Sequence, residues 1–130
     1  MSKTTLAVII GNRGFFPAHL CTEARHDVLA VLGELDIEAV ILPEDATHLG
    51  AVETWDHAKV CAELFCANRG RIDGVLVVLP NFGEEKGVAD TIKLANLDVP
   101  ILVQAYPDDL DRLSVELRRD AFCGKISACN

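Results

Sequence analysis

Four short apolar runs, set apart by helix-like segments, constrain this chain more than any other feature. They are Leu6–Ile10 (LAVII), Ile37–Leu42 (IEAVIL), Gly74–Leu79 (GVLVVL) and Val99–Gln104 (VPILVQ). LAVII and GVLVVL are continuously apolar rather than alternating. A strand of that kind is covered on both faces, which calls for a parallel sheet with helices on each side. Glu38 places IEAVIL nearer an edge, and Pro100 sits near the start of VPILVQ, where a missing N–H is tolerated.

The segments between the runs have helical spacing. Pro17 suits a first helical turn, and Leu20, Ala24, Val28, Val31, Leu32 and Leu35 then recur at three or four. Thr54 is placed to cap a second helix running to about Asn68 and ending at Gly70, with Ala58, Cys61, Ala62, Leu64 and Phe65 as its apolar set. A third helix is expected over Glu84–Ala95 and a fourth over Asp108–Phe122, the last with Leu110, Leu113, Leu117 and Ala121 as its stripe. Strand–helix alternation with right-handed crossovers gives an α/β fold: a three-layer, doubly wound parallel sheet of flavodoxin-like outline and strand order 2-1-3-4. Pro43–Thr54 is the longest irregular stretch.

At 130 residues the chain is about one domain, large enough to bury roughly two thirds of its unfolded surface. Its net charge of −8 argues against binding nucleic acid or an anionic membrane, which takes a surplus of Lys and Arg. No apolar run approaches a membrane span, and the opening Met-Ser-Lys-Thr-Thr lacks the features of a secretion signal. The five cysteines, at 21, 61, 66, 123 and 129, form no Cys-x-x-Cys pair and are expected to be reduced thiols in a cytoplasmic protein. The ending FCGKISACN closes no element with a charged or flexible tail, so a polypeptide continuing past Asn130 is expected.

In such a sheet, ligands bind outside the carboxyl ends of the strands, near the switch between strands 1 and 3. Two loops meet there, Gly11-Asn12-Arg13-Gly14-Phe15-Phe16-Pro17 and Pro80-Asn81-Phe82-Gly83-Glu84-Glu85-Lys86. Three of the five Phe residues lie in these loops, beside amides and cations, which suits a polyhydroxylated or anionic small molecule. The same residues equally suit a plainer role, in which Phe15, Phe16 and Phe82 plug the sheet end or a partner interface.

Other chemistries find little support. Gly11-x-x-Gly14 is not a dinucleotide fingerprint, there is no Walker lysine-serine pair, and no Ser or Thr follows strand 1 before Thr22. Glu44 and Asp45 follow strand 2, where a dinucleotide fold keeps its ribose-binding acid, but without the glycines they read as a solvated loop. Strand 3 ends Val77-Val78-Leu79-Pro80 without a phospho-accepting Asp. His57 and Cys61 are four apart, yet two residues of one helix do not close a zinc site. Asp56–His57 has no Ser or Cys placed to complete a triad. No residue of this chain is therefore expected to be catalytic or to ligate a metal.

The runs VIIGNRGFFP and DGVLVVLPNFGEEK and the ending FCGKISACN resemble the N-terminal domain of the L-fucose/L-arabinose isomerase family, in element order along essentially the whole chain as well as in motifs. The resemblance implies the N-terminal part of a longer, cytoplasmic, oligomeric aldose–ketose isomerase. In that family a divalent ion, usually Mn²⁺, assists a proton shuttle through an enediol, with its ligands in later domains. It implies that this domain walls the sugar site and takes part in an oligomer interface, and that alone it is inactive. By position it assigns substrate contacts to Arg13, Phe15, Phe16, Asn81 and Phe82, and it has Cys129 and Asn130 begin a segment running toward the sugar. Arg13 stands where the arabinose type has an amide, which is closer to the fucose type. Sugar identity stays open, a sulfonated sugar included, because Arg is a fixed cation with a planar donor fork. The alternatives are a stand-alone flavodoxin-like module that senses a polar or anionic ligand, and a nucleotide-cofactor domain that binds flavin or NAD.

Overall fold

A computed structural model describes residues 3–130; Met1 and Ser2 of the opening segment lie outside it. The described residues contain one four-stranded sheet, wholly parallel, in the order β2-β1-β3-β4. The strands are β1 (Thr5–Ile10), β2 (Glu38–Ile41), β3 (Gly74–Leu79) and β4 (Ile101–Ala105). The helices are α1 (His19–Glu34), α2 (Trp55–Ala67), α3 (Glu85–Ala95) and α4 (Ala121–Cys129). This is the expected three-layer, flavodoxin-like α/β fold.

The two central strands show why their sequences are unbroken in hydrophobicity. Successive side chains point to opposite faces. Ala7, Ile9, Val75, Val77 and Leu79 join Phe65, Cys61 and Val88 in the core under α2, α3 and α4. Val8, Ile10 and Val78 join Cys21, Ala24 and Leu32 in the core under α1. Both faces therefore need apolar residues. Phe65, the largest fully buried side chain, contributes about 1.5–3 kcal/mol by removal from water. The outer strands β2 and β4 are only partly covered, and Ile101 and Leu102 of β4 are exposed.

Local signals decide most element ends. The Thr54 hydroxyl accepts a hydrogen bond from the His57 N–H at 3.2 Å, the cap expected for α2. Asn96, in the left-handed conformation, ends α3. Val31 and Leu35 of the expected α1 stripe are exposed, so the buried face of α1 is narrower than its spacing implied.

The fourth helix is displaced from its expected place. Residues 108–120 form turns and irregular chain, and α4 lies instead over the terminal AFCGKISAC stretch. Asp side chains compete with helix for backbone donors here. Asp108 accepts from the N–H groups of Arg119 (2.7 Å) and Asp120 (3.1 Å), closing the segment into a loop, and Asp109 accepts from the Asp111 N–H at 3.0 Å. The Leu110, Leu113 and Leu117 stripe is exposed.

Candidate functional site

The carboxyl ends of β1 and β3 carry the two loops singled out in the sequence, and buried amides hold them together. Asn12 and Asn81 are each 1% exposed or less, although both are polar loop residues. The Asn81 side-chain N–H donates to Asn12 Oδ1 at 2.6 Å. Asn81 Oδ1 accepts from the backbone N–H groups of Arg13 (3.2 Å) and Gly83 (3.0 Å). Asn12 in turn donates to Glu53 Oε1 at 2.5 Å, and the same oxygen lies 2.7 Å from His48 Nδ1. The Glu53 N–H donates to His57 Nδ1 at 3.2 Å. Glu53 is brought here because Val52 pairs with Gly11 in an isolated bridge at the end of β1.

Two glycines allow the loops to approach. Gly83 has φ +73°, and a Cβ there would lie 2.7 Å from Leu79 Cδ2; a Cβ on Gly11 would lie 2.8 Å from the same atom. From the far side, α4 rests on the strand-3 loop at Gly124, where a Cβ would overlap the Phe82 carbonyl.

Arg13 and Phe82 share this platform. The guanidinium carbon stands 4.3 Å from the Phe82 ring centroid, a cation–π contact. Arg13 Nη2 lies 2.5 Å from Glu85 Oε2 and 3.4 Å from Glu84 Oε1. Its Nε is buried without a hydrogen-bond partner among the described residues. Phe16 lies 6.2 Å from Phe82 and 5.1 Å from Phe15, centroid to centroid. Phe15 is 81% exposed. Phe15, Phe16 and Pro17 border a recess of about 140 Å³ with Val115 and Arg118, and the Arg118 guanidinium is 5.9 Å from the Phe16 ring. A second recess, of about 340 Å³ and apolar, lies at the amino ends of β3 and β4 between Phe65, Val75, Ile92 and Ile101.

Of the residues the sequence singled out, Arg13, Phe16 and Phe82 form one ledge, with Phe15 at its rim. Asn81 sits beneath the ledge with all its polar atoms turned to protein groups. Asn12 belongs to the expected strand-1 loop, whereas Glu53 and His48 were not expected here. Two Asn residues, each following a doubly buried strand, are the only sequence signal that hinted at the pair; Glu53 reaches it from 41 positions away.

The ledge can bind and orient, but it holds no ready nucleophile. Burial pushes the Cys21 thiol up to about 12, with the nearby Glu53 charge adding to the effect. Cys21 stays protonated, 3.2 Å from Asn12 Oδ1. Among the described residues no group of three or more His, Cys, Asp or Glu is placed to hold a metal ion. No helix among them is long and apolar enough to cross a membrane.

Neither a curated protein nor a solved structure gives a significant match to the chain. A family model does, over residues 7–130, and it describes the fucose/sulfoquinovose isomerase N-terminal domain. The sheet order, the two loops and this match agree, and the chain belongs to the fucose/sulfoquinovose isomerase N-terminal domain family.

Proposed function

We propose that this domain forms part of the substrate-site wall of a cytoplasmic aldose–ketose isomerase, gripping an open polyol while other polypeptide carries the reaction. The observation that carries this reading is the Arg13 guanidinium stacked on Phe82, with Phe16 beside it. An aromatic face accepts the C–H side of a sugar, and a guanidinium N–H donates to its hydroxyls. Their contribution is orientation and exclusion of water, which in favourable cases is worth several orders of magnitude in rate.

The family resemblance brings a divalent ion, Mn²⁺, into the reaction. Among the described residues no side-chain group fits such an ion, so in this reading its ligands belong to polypeptide outside this domain, as does the proton shuttle. Exposed apolar side chains support contact with further domains or subunits: Val115 at the recess beside the ledge, Phe122 and Ile126 on α4, and Leu110 in the chain before α4. We assign this surface to the oligomer.

The test is aldose–ketose interconversion by the whole protein with Mn²⁺ present. Arg13→Ala is expected to lower kcat/KM about 10- to 100-fold, as misplacement of a bound substrate does. Unchanged kinetics in that variant, or no isomerisation of any aldose by the whole protein, overturns the reading.

A further inference from the structure

The family spans a neutral deoxy sugar and a sulfonated one, and the ledge differs in how it would receive them. We infer that Glu85, with Glu84, is the specificity-determining residue of this site, and that it sets Arg13 for uncharged sugars and against sulfonated ones. The inference rests on the sugar-site reading and names its substrate class.

Charge comes first. Arg13 carries one positive charge, and two carboxylates face it, Glu85 at 2.5 Å and Glu84 at 3.4 Å. The cluster is net negative by one. Both acids belong to the start of α3, Glu84 as its cap residue and Glu85 as its first residue, where the helix dipole favours a carboxylate. A sulfonate brought to Arg13 therefore meets repulsion rather than a vacant cation. The second guanidinium at the recess is matched too: Arg118 is held by Asp120 through Nε (3.0 Å) and Nη2. Arg119, further along, donates to the Pro80 carbonyl at 3.0 Å and stacks on Tyr106. Lys86 is exposed on α3 and forms no ion pair with these carboxylates.

Donor geometry leads to the same place. A tight grip on a sulfonate uses two guanidinium nitrogens as a fork. In Arg13, Nη2 is taken by the carboxylates and Nε is buried. Nη1 alone is neither bonded nor sealed off among the described residues. One nitrogen with two N–H groups suits separate hydroxyl oxygens; it cannot form the fork.

The experiment follows the Arg13 side-chain N–H and Phe82 ring signals by NMR while the protein is titrated with ethanesulfonate and, separately, with L-fucose. The wild type is expected to show saturable shifts with L-fucose and none with ethanesulfonate. Glu85→Gln is expected to gain ethanesulfonate affinity by at least ~10-fold, Glu84→Gln by less, and the double variant by the most, each gain shrinking with added salt. Ethanesulfonate bound at Arg13 of the wild type as tightly as in Glu85→Gln overturns the inference alone. So does a folded double variant that gains nothing. A wild type whose Arg13 and Phe82 signals ignore L-fucose overturns the sugar-site reading, and the inference with it.

Discussion

The Asn81 amide donates to Asn12 Oδ1 at 2.6 Å, in a buried setting, joining two loops 69 residues apart in sequence. That bond ties the loop bearing Arg13 and Phe16 to the loop bearing Phe82. Asn81 also fixes the Arg13 backbone, and Asn12 passes the link to Glu53.

Asn81→Ala should therefore cost more than one hydrogen bond. It strands the N–H groups of Arg13 and Gly83 and leaves the Asn12 oxygen with only the weak Cys21 thiol donor. Buried groups left without partners cost about 1–3 kcal/mol each, so a loss of several kcal/mol in urea unfolding is expected. Asn12→Ala should cost a comparable amount, and the double variant clearly less than the sum, because the two residues share one network. Additive losses would show that the pair does not act as a unit.

Glycine substitutions should separate by place. At Gly124 a methyl group overlaps the Phe82 carbonyl, so Gly124→Ala must push α4 from the strand-3 loop. A loss of about 1–3 kcal/mol and shifted Phe82 ring signals are expected. At Gly33, near the end of α1, nothing lies within 4 Å of the place a methyl group would take. Gly33→Ala should stabilise the protein by about 0.4–1 kcal/mol through the unfolded chain. Thermal or urea unfolding of the two variants reads both signs.

The buried thiols predict an alkaline limit to stability. Burial pushes Cys21 and Cys61 each from 9.0 up to about 12. In the unfolded chain these thiols ionise near their ordinary value; in the folded protein they hold their protons. The folded state then binds more protons between those two values. Stability should be unaffected by these groups below about pH 9 and fall above it, by about 1 kcal/mol per pH unit for each thiol, until the folded value is reached. Cys21→Ser and Cys61→Ser should each flatten that slope.

Alkylation gives an independent readout of the same burial. Cys66, Cys123 and Cys129 are exposed, and Cys21 and Cys61 are buried. Iodoacetamide should add three groups to the native protein and five to the unfolded one, counted by intact mass. Rapid modification of Cys21 under native conditions would mean that the Asn12–Asn81 region opens readily.

Much of the fold is legible because burial on two faces leaves a direct trace: β1 and β3 cannot alternate when both sides are core. Chain handedness then leaves few strand orders. The pairing of Arg13 with Phe82 follows from the same logic, since both stand just past the carboxyl ends of central strands. Less legible is anything decided by competition. The apolar spacing at 108–122 has helical period, yet Asp108 and Asp109 take the backbone donors first. α4 is hidden in turn by Gly124, which suits close packing on the Phe82 loop rather than helix propensity. The part played by the Glu84 and Glu85 carboxylates, read as the start of a helix, leaves no trace in the sequence, because only the fold brings them to Arg13, 71 and 72 positions away.

The most direct test of the account is a sugar titration that reports on both recesses at once. With L-fucose added, saturable NMR shifts are expected at Arg13, Phe16 and Phe82, with Phe65 and Ile101 unmoved. Arg13→Ala should abolish those shifts without unfolding the protein. Shifts confined to the apolar recess at Phe65, Val75 and Ile101, or an undiminished response in Arg13→Ala, would contradict the claim that this ledge holds the sugar.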